Sequence, residues 1–250
     1  MPPMFTVEER DRVRDRILAI ARKDSRVVAG AMIGSLAQGS GDRWSDLDLG
    51  FGVADGVPLS EVLDGWTETL ERELDAAHLF DLPRLSSIYR VFLFPGCLQV
   101  DLSFTPASEF GALGPRFKVL FGQAVERSRL EPPTARYLFG MAAHHAVRAR
   151  ICVERGRLWQ AEYWISELRH LALSLACRRR GLDAVEGRGY EQLPAEVLNR
   201  FEDWLVRSVE REELLRALES ATDGLLAEAD EVRELAAKVE AQLRELVATG

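Results

Sequence analysis

Apolar residues recur along this chain at two different periods, and the change from one to the other divides it. Val7, Val13, Ile17, Leu18 and Ala21 repeat at helical spacing, and Thr6 followed by Glu9 has the form of a capping box, so a first helix is expected over about 6–23. "RVVAGAMIG" is then an apolar run of the buried-strand type, and "DLDLGFGV" is a second beyond a loop rich in glycine and serine. "LSEVLDGWTETLERELDA" returns to the helical period from near Ser60. "SIYRVFLF" and "CLQVDLSF" flank Pro95-Gly96, which is a hairpin signal.

Beyond Pro132 the strand signals vanish. Helical periods run over about 133–154, 157–180, 194–208 and 211–248, broken at Gly156, at Gly181 with Gly187 and Gly189, and near Ser208. Such a run predicts a bundle. The polar, proline-bearing "RSRLEPP" places a boundary within 125–132, giving a first domain over 1–128 and a second over 129–250. The last period carries a stripe of Leu214, Leu218, Leu225, Ala229, Val232, Leu235, Val239, Leu243 and Leu246 that suits either the bundle or a homodimer.

Composition narrows the class. With 250 residues and 47% hydrophobic positions the chain can bury a substantial core. A net charge of -8 argues against a general nucleic-acid binder, whose phosphate affinity needs a basic surface, and points to a small or cationic partner. Cys97, Cys152 and Cys177 stand at no metal-ligand spacing and within apolar stretches, so they are expected to be reduced small hydrophobes of a cytoplasmic protein. The opening "MPPMFTVEERDRVRDRILAIARKD" has no basic segment leading into an unbroken apolar core, and nowhere do about eighteen apolar residues run together, so neither export nor a membrane partner is expected.

The chemistry concentrates in "AMIGSLAQGSGDRWSDLDLGFGV". In an extended strand Asp46 and Asp48 project to one side while Leu47 and Leu49 face the other. Two carboxylates so close repel unless a cation sits between them, and all-oxygen ligands favour Mg²⁺ or Mn²⁺. Asp101, again a lone charge in an apolar β-run, is the third candidate ligand, and three such acids could hold two metal ions about 3.5–4 Å apart. Upstream, Gly34 permits close backbone approach, and Ser35 can open a short helix whose N–H groups favour a phosphate. Arg43 is a further phosphate candidate in the loop. An acidic metal site beside a phosphate seat suits attack on a nucleoside triphosphate.

At these residues the chain resembles the nucleotidyltransferases related to DNA polymerase β: an apolar residue, Gly-Ser, a spacer, Asp-apolar-Asp-apolar, then an Asp on a later strand. The two-domain layout and "PGCLQVDLSFTPASEFGALGPRF" are most similar to the bacterial antibiotic nucleotidyltransferases that act on aminoglycosides and lincosamides. The resemblance covers roughly residues 30–105. It implies an α+β fold, with a mixed sheet flanked by helices followed by a C-terminal α-helical bundle. It further implies Gly34 and Ser35 on the triphosphate, and Asp46, Asp48 and Asp101 on Mg²⁺. The expected activity is transfer of AMP from ATP, or of another nucleoside monophosphate, to a hydroxyl of a small molecule, an antibiotic-resistance reaction if the acceptor is a drug. Two alternatives stand beside it: transfer to a protein or RNA, as in toxin–antitoxin pairs, and a silent nucleotide-binding module.

Glu162 is the candidate general base, because it lies at the edge of the stripe formed by Leu158, Ala161, Ile165, Leu168 and Ala172; the competing reading is a surface glutamate paired with Arg169. Trp159, Tyr163 and Trp164 are expected in the core rather than around an acceptor, and His145 as a hydrogen-bonded core histidine. Arg178, Arg179 and Arg180 suit a helix C-terminus. Glu154, Glu162 and Glu167 are the acids that could concentrate a cationic acceptor.

Overall fold

The computed structural model describes residues 4–128 and 131–248 and has an α+β architecture. Its contacts fall into two compact units, Met1–Leu130 and Glu131–Gly250. The boundary expected between 128 and 129 touches residues 129 and 130, which lie outside the described residues.

The first unit opens with α1 (Val7–Lys23). Thr6 Oγ1 accepts from the Glu9 N–H and the Glu9 carboxylate accepts from the Thr6 N–H, so the capping box is formed. Next come β1 (Val27–Ile33), a four-residue helix α2 (Gly34–Ala37), β2 (Leu47–Val53) and α3 (Leu59–Leu74). They are followed by β3 (Ala77–Arg84), β4 (Ser87–Phe94), β5 (Leu98–Pro106) and β6 (Phe117–Phe121). The six strands form one mixed sheet in the order β3-β4-β5-β2-β1-β6, in which β2 and β5 are parallel and the other pairs antiparallel.

The sheet divides its residues by the two-residue period of the strand. Leu47, Leu49, Phe51 and Val53 of β2, with Val100, Leu102 and Phe104 of β5, share one core with Ile17 and Leu18 of α1 and with Val62, Leu63, Trp66 and Leu70 of α3. At its centre Trp66 lies 4.9 Å from Phe51 and 5.1 Å from Phe104, with its indole N–H donating to Asp24 at 3.0 Å. The opposite face is built of small residues: a Cβ on Gly50 would meet Ser103 Oγ at 3.1 Å, and one on Gly52 would meet both Ala29 and Phe110. Phe110 covers this stretch with Ala29, Ala31 and Phe117.

Two strands, β3 and β6, escape the sequence pattern. All eight residues of β3 are exposed, so it lacks the buried alternation that marks a strand, and Pro83 argues against one; an edge position tolerates both. Cys97, expected among apolar neighbours, is instead exposed with φ +60 on the tight turn after Gly96.

The second unit is helical: α4 (Ala135–Glu154), α5 (Leu158–Arg179), α6 (Ala195–Glu202), α7 (Arg211–Ala227) and α8 (Arg233–Val247). α6 ends sooner than the expected 208 because the chain turns to seat Trp204 on Phe201 at 4.1 Å and against Gly224, where the indole fills the space a Cβ would take. The expected single helix over 211–248 is two helices. One helix of that length would run about 57 Å against about 30 Å for α4 and leave half of its stripe without a partner. The chain instead breaks at Glu228, whose buried carboxylate pairs with Arg179 at 3.1 Å and Arg200 at 2.9 Å, and α8 folds back. The whole stripe is thereby spent on the bundle core. Arg178 and Arg179 close α5 as expected and also bind this turn through Glu231 and Asp230.

Candidate active site

β2 and β5 lie side by side in parallel with Asp48 directly opposite Asp101, and Asp46 just precedes β2. The carboxylate oxygens of Asp46, Asp48 and Asp101 offer one atom each within 4.8 Å of one another, and all three residues are partly buried. The juxtaposition follows from register: the parallel pairing stacks the two acid-bearing positions on the small-residue face, while their neighbours Leu47, Leu49, Val100 and Leu102 fill the core behind. Burial holds the Asp101 carboxyl above its usual range, Gln99 opposes this by donating to it at 3.0 Å, and the charge of Asp46 adds to the rise. Three such acids raise the cost of their own charges, and a divalent cation coordinated by oxygen would remove that cost.

Gly34 has φ +70, and a Cβ there would lie 2.1 Å from Asp48 Oδ2. Glycine is thus required twice, by the backbone conformation and by the space the carboxylate occupies. Its N–H donates to the Arg116 carbonyl at 3.2 Å, so this amide is spent within the fold rather than offered to a phosphate. α2 begins at Gly34 itself, with Ser35 its second residue, and at four residues it has little dipole to offer. Arg43 stacks its guanidinium 4.0 Å above the exposed Trp44 ring and reaches the Phe5 carbonyl at 3.5 Å.

Sequence reasoning missed Arg10. This buried side chain on α1 donates from Nη1 to the carbonyls of Asp42 at 2.7 Å and Ser45 at 2.9 Å, holding the loop that delivers Asp46. Within that loop Asp42 Oδ1 accepts from the Trp44 N–H at 2.8 Å. The signal was present: Arg10 occupies the same helical stripe as Ile17 and Ala21, where a basic residue needs partners.

Glu162 belongs to α5 of the helical unit. It accepts from the Ser166 hydroxyl at 2.7 Å, and Ser166 in turn accepts from Arg169 at 3.4 Å, so serine stands between Glu162 and the arginine of the competing reading. Glu154 is held by Arg211 at 2.8 Å and Arg150 at 2.7 Å, which removes it as an acid for a cationic acceptor. Trp159 and Tyr163, expected in the core, are 77% and 51% exposed; four residues apart on one helix, they share its outer face. His145 is buried as expected, with its ring 4.8 Å from Trp164, and among the described residues its Nδ1 has no hydrogen-bond partner. A cleft of about 470 Å³ in the first unit is lined by residues including Ser108, Glu109, Glu126 and Arg127, and includes none of the three acids.

Neither a protein-family model nor a curated protein matches the sequence. Among solved structures the chain is similar to an aminoglycoside 6-adenyltransferase from Bacillus subtilis, at 14% identity and a TM-score of 0.41 over 98% of this chain and 100% of that one. It is also similar to MenT4, a nucleotidyltransferase toxin from Mycobacterium tuberculosis, at 15% identity and a TM-score of 0.26 over 95% of this chain and 90% of that one. Among the described residues no helix is long and apolar enough to cross a membrane.

Proposed function

We propose that this chain is a metal-dependent nucleotidyltransferase that moves a nucleoside monophosphate, AMP from ATP, to a hydroxyl of a small acceptor. The observation that carries the reading is the meeting of Asp46, Asp48 and Asp101 beside the Cβ-free turn at Gly34. Their donor set, all carboxylate oxygen within mutual reach, fits Mg²⁺ or a pair of such ions, which when bound lower the pKa of an attacking hydroxyl and stabilise a leaving pyrophosphate. The chain's own part is positional. Arg10 fixes the loop entering β2, Gly34 leaves room for the Asp48 carboxylate, and Gln99 orients Asp101. Ser35 and Arg43 are the residues proposed to face the triphosphate.

The test is titration of Mg²⁺-ATP into the wild-type chain and into Asp46→Asn/Asp48→Asn, followed by a screen of hydroxylated acceptors read by pyrophosphate release. Metal-dependent ATP binding that the double variant loses, with release by the wild type alone, is the expected outcome. ATP binding that ignores both metal and substitution would sink the proposal and favour a silent nucleotide-binding module.

A further inference from the structure

The acidic centre continues sideways into an apolar shelf. Cross-strand register runs Asp48, Asp101, Val91, Phe80 in one row, and Gly50, Ser103, Tyr89, Leu82 in the next, so these side chains share the acid-bearing face. Leu93, two residues from Val91 on β4, belongs to the same face and pairs with Ala77. Val91 is buried, but Phe80, Leu82 and Leu93 remain 52%, 53% and 38% exposed. Of the charged groups of this hairpin segment, Asp81 pairs with Arg90 at 2.6 Å and accepts from His78 at 3.1 Å on the opposite face, whereas Arg84, opposite Ser87, shares the shelf face at its far end, and its charge reaches Tyr89 as those of Asp48 and Arg127 do.

In the order β3-β4-β5-β2-β1-β6, α2 with Ser35 follows directly on β1, so the nucleotidyl-transfer reading assigns the triphosphate to the β1 side of the acids. The side from β5 to β3 is left for the acceptor. Strands stand about 4.8 Å apart, which puts Phe80 roughly 10 Å from Asp101, the span of a two-ring molecule. We infer that Phe80, Leu82, Tyr89 and Leu93 form an acceptor shelf, and that the acceptor is a hydroxyl compound carrying an aromatic ring rather than a polycationic sugar. This rests on the nucleotidyl-transfer reading for its reactive end, while continuity with the three acids commits the shelf to the acceptor. The aromatic ring lies on the shelf and the hydroxyl reaches toward Asp101.

A matched pair of probes tests it by calorimetry: p-nitrophenyl β-glucoside, with an aryl group, and methyl β-glucoside, without one. The wild-type chain should bind the aryl glucoside at least tenfold more tightly, Phe80→Ser/Leu82→Ser should erase that preference, and Asp46→Asn/Asp48→Asn should keep it. Phe80→Lys alone, on an exposed edge position, should also erase it, and thermal melts of both shelf variants show that they fold. Equal affinities for the two glucosides, or a preference the shelf variants retain, overturn the inference. So does a wild-type dimer that Phe80→Ser/Leu82→Ser converts to monomer, because a second copy would then cover the shelf. Mg²⁺-ATP titrated in parallel separates the two readings. An aryl preference without metal-dependent ATP binding keeps the shelf and refutes nucleotidyl transfer, whereas ATP binding without the preference does the reverse.

Discussion

The two faces of β2 and β5 have opposite compositions although they share the same backbone. One carries Leu47, Leu49, Phe51, Val100, Leu102 and Phe104, all buried against α1 and α3. The other carries Asp48, Gly50, Gly52, Asp101, Ser103 and Thr105. Fully burying one large apolar side chain contributes about 1.5–3 kcal/mol, so the first face stabilises the unit. The second places three partly buried carboxylates together, which costs stability; Gly50 and Gly52 on it leave the space that Phe110 occupies, and Gly34 in the neighbouring turn leaves room for Asp48. The strand period keeps these two tasks apart, and a substitution on one face should be felt mainly in its own currency.

The largest effect should come from the core face. Phe51→Ala removes a fully buried ring packed on Trp66 and Phe104, and should lower unfolding free energy by about 3–5 kcal/mol in urea titration. Below its melting point this variant should still gain stability from added Mg²⁺, because Phe51 points away from the acids. Loss of that response would show that the faces are coupled. On the other side, Gly34→Ala meets both the positive φ and the Asp48 oxygen, with an expected cost of about 2–4 kcal/mol. Unlike Phe51→Ala, it should abolish the Mg²⁺-induced rise in Tm, since the carboxylate must move.

How much of this was legible follows from the same division. Periodicity exposed the core face well, because Leu47, Leu49 and Phe51 alternate with smaller or polar partners and Thr6 with Glu9 announces α1. Asp46, Asp48 and Asp101 stood out because each is a charge in an apolar β-run. That β2 and β5 lie side by side and in parallel is a matter of topology that no local signal encodes. β3 was illegible because an exposed edge carries no alternation, β6 because it is a five-residue edge strand that is only partly buried, and the break between α7 and α8 because Glu228 finds Arg179 and Arg200 only in three dimensions. Gly34 was read as permitting close backbone approach; that its missing Cβ makes room for Asp48 became visible only in space.

Arg10 joins the two faces, since it projects from a helix of the core side to the loop that delivers Asp46. Arg10→Met keeps the aliphatic length and removes two charge-assisted hydrogen bonds. The expected loss is about 1–3 kcal/mol of stability, together with a weaker Mg²⁺ response than wild type in the same melt. An unchanged metal response would confine Arg10 to packing.

The smallest effect, and the one of opposite sign, belongs to Asp101→Asn. Burial and the neighbouring charge of Asp46 raise the Asp101 pKa in the folded chain above its unfolded value of 3.8, so the folded state holds this proton more tightly. Below that value both states are protonated and the group is neutral to stability. As pH rises from there through the raised folded value, the folded state is the one penalised, and the metal-free chain loses stability to this group. Asparagine carries no charge to penalise and keeps a similar shape beside Gln99. Metal-free Asp101→Asn at pH 7 should therefore melt higher than wild type. Added Mg²⁺ should reverse the ranking, raising wild type and leaving the variant where it was. A variant less stable than wild type without metal would mean that Asp101 is held by partners that favour its charge, and the division between a stabilising face and a costly one would fail at its central residue.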